Sequence, residues 1–422
     1  MKTILITAYA INPYKGSEDG TGWNITCQIA KHNKVIAITR KNNREHIDRY
    51  LSENDFPGKD NLSFAYFDTP YWTRFWKKGG RGAMLYHYLW QFGVVGFIRK
   101  QNFEFDIAHG LNFHCDWSPS FLWRLKKPFV WGPIGHHHKI PSEYILKVYG
   151  RKEWLKDRLR WWVKQFFWTV DPFLKVAVRK AEKVIAINSS VGQVLDIPEH
   201  KLVRMPAVAS EYVDYDPSSR RMDQFEILSI GRFVPLKGFD ITIRSFATFY
   251  HRQPEVLRSK LKLTLVGKGP YKSQLKNLAK ALNVENAVEI IEWIEREKLM
   301  DIYRRADLYF FPSHEGAGMV VPEAMSFGLP IVCFDNYGPG EFVDESCSIK
   351  VPYSTYATSV QAFADALKVL FEQKDLKNML GQGARNQYER QLTWEAKGKL
   401  LRALYDQIEP SYEESRLYSP VQ

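Results

Sequence analysis

The chain of 422 residues has few cysteines and no long apolar run, and each shortage excludes a class of protein. Its four cysteines (27, 115, 333 and 347) are scattered without a CxxC pair, which argues against a disulfide scaffold or a zinc site. No apolar run reaches the length of about 18 residues that a membrane-spanning helix needs. Residues 1–7 lack the long apolar region of a signal peptide, which favours a first strand in a cytoplasmic protein.

Positive charge is concentrated in the first half of the chain. Residues 1–210 carry 32 Lys and Arg against 18 Asp and Glu, whereas residues 211–422 carry 27 against 29. A basic domain favours an anionic partner, and no motif of a nucleic-acid-binding fold accompanies it. A membrane surface and an ordinary solvated basic face both remain open.

The length suits two α/β domains, and apolar runs alternate with helical patterns from end to end. This alternation predicts parallel sheets covered by helices. We predict a first lobe at 1–205, a second at 206–390, and a C-terminal segment 391–422. The predicted strands lie at 4–9, 35–39, 63–67, 106–109, 129–131, 183–187, 227–230, 261–266, 288–291, 308–311 and 331–334.

The richest stretch is 313–335, which follows the predicted strand 308–311. Glycines in this loop leave backbone amides open just before a predicted helix at 320–327, and such a helix start is suited to an anion. Glu315 lies in the loop and Glu323 lies in the helix. The combination predicts a sugar nucleotide, with its diphosphate at the amides and its hydroxyls at the carboxylates.

The residues E-A-M-S-F-G-L-P-I-V, numbered 323–332, resemble the signature of the retaining nucleotide-sugar glycosyltransferases of family 4. That family has two Rossmann-like lobes facing a cleft, the GT-B architecture, with a last helix that crosses back to the first lobe. The resemblance implies that Glu315 binds hydroxyls of the transferred sugar and Glu323 binds the ribose. It also places the backbone of Gly318, Met319 and Val320 at the donor.

A second motif follows the predicted strand 227–230. Its residues G-R-F-V-P-L-K-G resemble the family's G-R-x-x-x-x-K-G, which implies that Arg232 and Lys237 hold the donor diphosphate. A Walker lysine is excluded, because the G-x-x-x-x-G-K-[ST] frame is absent. The resemblance also places Gly267 in a turn beside the base and Trp293 in an aromatic position near it, although plain core packing would equally explain Trp293.

The first lobe contains a glycine-rich segment, G-S-E-D-G-T-G-W-N, which we predict to be a loop that enters a helix. Backbone amides in such a loop suit a phosphate or the reactive end of the donor. The segment resembles a G-S-E-x-G-x-G-W-N loop found in a subset of the family. This resemblance places Gly16, Gly20 and Gly22 at the cleft.

Histidines supply the remaining candidates in the first lobe. The family delivers a histidine to the donor sugar from a strand end, which here implies His109, with His114 as the alternative. The family loop G-P-I-G-G-G-E corresponds to G-P-I-G-H-H-H in this chain, and we assign His136 and His137 to the acceptor side. Consecutive histidines rarely converge on one ion, so no metal site is expected.

Three other segments carry weaker signals. The Asp-x-Asp at 214–216 falls in the predicted linker, which argues against a metal site there. The segments 71–78 and 154–168 mix aromatic and basic residues, a pattern that suits either a membrane interface or packing against the first lobe.

Together the sequence predicts a retaining, metal-independent glycosyltransferase without a cofactor. The expected partners are a nucleotide-sugar donor, a glycan or lipid-linked acceptor and an anionic membrane surface, but no nucleic acid. The expected location is the cytoplasm, with peripheral attachment to the inner face of the membrane. An inactive nucleotide-sugar-binding subunit and a related GT-B enzyme such as an epimerase are the alternatives.

Overall fold

The chain forms two parallel β-sheets, one of seven strands and one of six, in the residues that the structure describes. The structure is a computed structural model that describes residues 1–79, 82–111, 114–214, 223–316, 318 and 320–409. The strands are β1 Thr3–Ala8, β2 Lys34–Thr39, β3 Leu62–Tyr66, β4 Ile107–Leu111, β5 Phe129–Ile134, β6 Lys183–Ala186, β7 Leu202–Arg204, β8 Phe225–Ile230, β9 Leu261–Val266, β10 Val288–Ile291, β11 Leu308–Phe311, β12 Ile331–Phe334 and β13 Ser348–Val351.

Helices connect these strands, as parallel pairing requires. The α-helices are α1 Ser17–Ala30, α2 Arg44–Glu53, α3 Ala83–Gln101, α4 Ser142–Val170, α5 Pro172–Lys180, α6 Ser190–Val194, α7 Phe239–His251, α8 Glu255–Arg258, α9 Lys272–Ala281, α10 Arg296–Arg305, α11 Val320–Ser326, α12 Pro339–Phe342, α13 Tyr356–Glu372, α14 Lys374–Gln387 and α15 Trp394–Asp406. No helix in these described residues combines the length and apolar character needed to cross a membrane.

Each sheet reverses its strand order once, next to its first strand. The first sheet has the order β3-β2-β1-β4-β5-β6-β7, and the second has the order β10-β9-β8-β11-β12-β13. Open parallel sheets bind ligands at the carboxyl ends of the strands beside such a reversal. The loops after β1, β4, β8 and β11 are therefore the positions to search for a site.

The predicted fold class is confirmed: two Rossmann-like sheets, with the last helix on the first lobe. In α15, Trp394, Leu401 and Tyr405 are buried in one cluster with residues of β1 and α1. The Lys2 ammonium donates to the carbonyl of Ile408 at 2.6 Å, which ties the end of the helix to β1. The boundaries at 205 and 390 stay predictions.

The sequence did not predict two of the strands, β7 and β13. The strand β7 has only three residues, too few for an alternating or apolar pattern to emerge. The strand β13, with the sequence SIKV, carries a serine and a lysine and lacks a continuous apolar run. Both lie at an edge of their sheet, where a strand is covered less completely than a central one.

The long helix α4 contains the segment 154–168, and part of this segment is packed: Trp154 lies against the core of the second lobe and Trp168 against a core of the first. Before a kink at Gly150, the helix packs on the second lobe, with Tyr144 and Ile145 buried in its core. The Tyr144 hydroxyl lies 2.6 Å from the Ser359 hydroxyl in the second lobe. After the kink the helix carries an exposed apolar face, which is considered below.

Candidate functional site

The two basic candidates of the second lobe follow β8, at the reversal of strand order. Arg232 is exposed, whereas Lys237 is largely buried and its ammonium lies 2.6 Å from the Glu315 carboxylate. The side chains of Lys237 and Glu315 are only 11% and 16% exposed, which shields their attraction from solvent. Two residues that are 78 positions apart in the chain thus form one charged pair at the edge of the sheet.

Close backbone contacts hold the loops of this edge together. Gly238 has a φ of +68°, and a Cβ there would lie 2.1 Å from the carbonyl oxygen of Pro312. Gly267 has a φ of +157°, and its Cβ would lie 1.8 Å from the carbonyl oxygen of Gly231. Any larger residue at either position would push the loops apart. Gly267 therefore positions the loop after β8, whether or not it also contacts the base.

The start of α11 carries the other donor candidates. Gly318 is buried, and Val320 begins the helix. Met319 lies outside the described residues. The Glu323 side chain is 23% exposed and accepts hydrogen bonds from the Tyr303 hydroxyl at 3.1 Å and from Arg296 at 3.3 Å. The carboxylate is therefore held in place at the edge of the site before any ligand binds.

Trp293 is not a core residue. Its side chain is 72% exposed, so the packing alternative from the sequence is wrong. Contact of this indole with a base remains a prediction.

The glycine-rich segment of the first lobe is shorter as a loop than predicted. The helix α1 begins at Ser17, so Gly20 and Gly22 lie inside it and are buried. Gly16 stands just before the helix and is exposed. A Cβ on Gly20 would lie 2.5 Å from the carbonyl oxygen of Lys15, so close packing explains this glycine. Of the three glycines, only Gly16 is an exposed loop residue.

Glu18, in the first turn of α1, was missed as a candidate. Burial, together with the charge of Asp19, raises the pKa of Glu18 to about 7, although a hydrogen bond from the backbone of His114 opposes the shift. The contact joins the start of α1 to the loop after β4. A carboxyl whose pKa lies near neutrality at this edge is a functional candidate.

His109 is part of the core rather than of the cleft. It is fully buried, with Nδ1 lying 2.6 Å from the Tyr405 hydroxyl and Nε2 lying 2.7 Å from the carbonyl oxygen of Gly132. Burial lowers the pKa of His109 to about 4, so the ring is neutral. Both ring nitrogens are engaged, and in this arrangement neither is free for a donor sugar. The geometry therefore argues against the predicted donor contact.

His114 has a free ring nitrogen. Its Nε2 is buried and has no hydrogen-bond partner among the described residues. Burial lowers the pKa of this histidine to about 4. His114 is thus the better placed of the two predicted histidines to accept a new partner.

The three consecutive histidines point to three different partners. His136 Nδ1 lies 2.6 Å from the Asp116 carboxylate, and both side chains are buried. His138 Nε2 lies 2.9 Å from the Ser190 hydroxyl. Among the described residues no group of three His, Cys, Asp or Glu side chains is arranged as metal ligands would be.

His137 makes a contact between the lobes that the sequence did not suggest. Burial lowers the pKa of His137 to about 3, so its ring is neutral and its Nδ1 accepts the Gly316 N–H at 3.0 Å. The Asn188 side chain donates to the carbonyl oxygen of Gly316 at 3.1 Å. The Gly316 amide, expected to face the diphosphate, is therefore already bonded to the first lobe.

Two neighbouring residues reinforce this junction. The Ser189 amide and hydroxyl both donate to the Glu341 carboxylate, at 2.8 and 2.7 Å. Neither the Asn188 nor the Ser189 side chain caps the neighbouring helix α6. No local pattern reveals a bond that spans 152 positions of the chain.

The Asp-x-Asp of the linker is only partly described. Asp214 is exposed, and residues 215 and 216 lie outside the described part of the chain.

Comparison with known proteins identifies the second lobe. Residues 214–387 match the family model described as "Glycosyl transferases group 1". A relative from Bacillus subtilis (strain 168), the "Uncharacterized glycosyltransferase YqgM", is 27% identical over 215 residues, which cover 50% of this chain. The match spans 58% of that relative's own length, less than two thirds of it.

Solved structures share the whole fold. Sucrose-phosphate synthase from Thermosynechococcus elongatus aligns with a TM-score of 0.64 and 16% identity, covering 96% of this chain and 99% of that one. Anabaena Alr3699/HepE in complex with UDP aligns with a TM-score of 0.59 and 15% identity, covering 97% and 100%. The resemblance seen in the sequence is thereby confirmed: residues 214–387 match the model of the group 1 glycosyl transferases, and the chain has the two-lobed GT-B fold.

Proposed function

We propose that this chain is a retaining glycosyltransferase that moves a sugar from a nucleotide diphosphate sugar to an acceptor hydroxyl. The acceptor is a lipid-linked or cell-surface polysaccharide precursor. The observation that carries the proposal is the shielded Lys237–Glu315 pair at the reversal of strand order between β8 and β11. The family match over 214–387 and the UDP complex of the Anabaena protein support the same class of donor.

The pair supplies the two chemistries that such a donor needs. An ammonium stabilises the charge that builds on the departing diphosphate, and a carboxylate accepts hydrogen bonds from sugar hydroxyls. Arg232 adds a second positive charge at the same loop, and Glu323 is oriented for the ribose. Retention follows from departure on the front face, where the diphosphate itself takes the proton of the acceptor hydroxyl.

A screen of nucleotide sugars tests this function without knowledge of the acceptor. Many transferases slowly release the nucleotide into water, so purified protein is incubated with each nucleotide sugar and free nucleoside diphosphate is measured. We expect release from one donor class, reduced by Lys237→Ala. Binding without release from any donor would favour the inactive subunit, and a changed but uncleaved sugar would favour an epimerase.

The reaction is expected to proceed without a divalent metal. A diphosphate leaving group is neutralised either by a bound cation or by fixed protein charge, and Arg232 and Lys237 provide the second. Turnover should therefore persist in excess EDTA. Activity that disappears with EDTA and returns with magnesium or manganese would contradict this assignment.

We further propose that the first lobe attaches to an anionic membrane. After the kink in α4, its apolar residues recur every three or four positions on one face and remain exposed, namely Leu155, Leu159, Trp162, Phe166 and Val170. Buried packing, the alternative from the sequence, does not cover this face in the described structure. Exposed Lys152, Lys156 and Arg160 flank it. Basic residues beside exposed apolar ones suit anionic headgroups over an apolar interior.

The surface extends beyond α4. Tyr71, Trp72 and Phe75 are 71%, 75% and 60% exposed just before α3. The helix α3 touches α4 where the rings of Tyr88 and Phe167 lie 6.0 Å apart. Exposed aromatic residues therefore occur in both aromatic-basic segments of the first lobe.

Flotation with liposomes measures this attachment. We expect the protein to float with anionic vesicles at low salt and less at high salt. Salt shortens the Debye length, which is about 8 Å at physiological ionic strength, and so weakens the attraction between basic residues and anionic headgroups. Trp162→Glu should reduce flotation severalfold. Val256→Glu is the matched control, since Val256 is an 81% exposed apolar residue on α8 of the other lobe. Equal flotation with neutral vesicles, or no effect of Trp162→Glu, would contradict the proposal.

A further inference from the structure

A cavity of about 280 Å³ opens between the lobes, beside the donor loop. His138 and Pro141 form its wall on the first lobe, and Tyr337 and Tyr353 form part of its wall on the second. Glu315 lines the cavity as well, and the same residue holds Lys237. The cavity and the predicted donor loop therefore share Glu315 and Gly316. None of the sequence motifs accounts for the aromatic walls.

The aromatic walls are fixed and partly open. Tyr337 and Tyr353 are 44% and 37% exposed. The Tyr337 ring stacks on His138 with centroids 4.4 Å apart, and the Tyr353 ring stacks on Phe334 at 4.3 Å. The Tyr353 hydroxyl also lies 2.7 Å from Nδ1 of His314. Rings that are held in this way present an apolar surface with a negative face, which attracts the partly positive C–H groups of a saturated ring.

The charged residues that line the cavity are two carboxylates and one ammonium, those of Glu315, Asp335 and Lys139. Glu315 and Asp335 line it, and the exposed Asp335 carboxylate lies 3.2 Å from the Lys350 ammonium. Burial lowers the pKa of His138 to about 4, so this ring is neutral. The Lys139 ammonium lies 4.4 Å from the centroid of Trp161. A ligand with hydroxyl groups can donate hydrogen bonds to the exposed Asp335 carboxylate.

We infer that this cavity binds a neutral pyranose ring of the acceptor, stacked on Tyr337 and hydrogen-bonded to the Asp335 carboxylate. The inference rests on the proposed transferase function and adds a substrate class to it. Pockets for larger ligands span about 300–1,000 Å³, so a cavity of about 280 Å³ suits a single ring. The ring would lie next to Glu315, the residue proposed to hold the transferred sugar.

Saturation-transfer NMR with the methyl α-pyranosides of glucose, galactose and mannose tests the subsite directly. We expect saturation transfer to at least one glycoside with the wild-type protein. Tyr337→Ala should abolish it, whereas Tyr337→Phe should preserve the stacking and the signal. Tyr212→Ala is the matched control, because Tyr212 is a 63% exposed aromatic residue that does not line the cavity. A mixture of uridine, guanosine and adenosine diphosphates in excess should leave the signal unchanged.

Each other outcome overturns the inference. These are no saturation transfer to any glycoside, a full signal with Tyr337→Ala, or loss of the wild-type signal on addition of the nucleotides. If Tyr337→Ala no longer unfolds cooperatively, Asp335→Ala replaces it and should weaken the signal severalfold. The nucleotide-sugar screen needs no acceptor, so the proposed function is judged separately from the subsite.

Discussion

Lys237→Ala is expected to lower turnover about 100- to 1,000-fold while nucleotide binding falls less. Removing one group that stabilises a developing negative charge typically has an effect of about this size on kcat. In its proposed role Lys237 meets negative charge that grows between the ground state and the transition state, so its loss should affect kcat more than binding. Donor turnover and nucleotide affinity, measured by steady-state kinetics and calorimetry, separate the two effects.

Two controls distinguish loss of catalysis from loss of stability and from a general effect of removing a lysine. Removing Lys237 leaves the carboxylate of Glu315 without its cation, and such a loss destabilises a folded protein. The double variant Lys237→Ala with Glu315→Gln should regain thermal stability without regaining turnover. Lys272→Ala removes a lysine from a different ion pair, with Glu292 at 2.7 Å, and should leave turnover unchanged. Wild-type turnover in Lys237→Ala would contradict the role proposed for this lysine.

The parts of the molecule that the sequence predicted are those governed by short-range patterns. The strands β9, β10, β11 and β12 begin and end at the predicted residues. β11 and β12 are continuous apolar runs, and in β9 and β10 apolar residues predominate, so short-range patterns reveal all four. The family resemblance also assigned Lys237 and Glu315 to one donor site, and the structure brings their side chains within 2.6 Å of each other.

The parts that it did not predict depend on contacts between distant segments. His109 fits the position of a donor-contacting histidine, yet Tyr405 from the last helix takes one of its ring nitrogens. His137 and Asn188 look like a loop residue and a helix cap, yet both bind Gly316 across the lobes. Such roles depend on how the lobes pack, and no local spacing encodes that packing.

The predicted extent of the glycine-rich loop was wrong for a different reason. Glycines lower helix propensity, so the sequence suggested a loop through Gly22. The acidic residues Glu18 and Asp19 stand in the first turn of α1, where they favour the helix start, and close packing requires glycine at position 20. In α1 the close packing at Gly20 therefore outweighs the low helix propensity of glycine.

Glu323→Ala should weaken nucleotide binding by about 1.5–3 kcal/mol, which is roughly 10- to 150-fold in Kd. The predicted contact is a charge-assisted hydrogen bond from ribose hydroxyls to this carboxylate. Tyr303 and Arg296 already orient the side chain, so little ordering cost opposes binding. Calorimetry with the nucleoside diphosphate released in the donor screen measures the change.

The comparison of three variants identifies what the carboxylate contributes. Glu323→Gln keeps an acceptor oxygen but loses the charge, so its affinity should fall between those of Glu323→Ala and the wild type. Glu289→Ala removes a carboxylate from the same lobe, where it pairs with Lys262 at 2.7 Å, and should leave affinity unchanged. A uniform loss in all three variants would indicate a general electrostatic effect of the lobe. Wild-type affinity in Glu323→Ala would show that the ribose does not contact α11 through this residue.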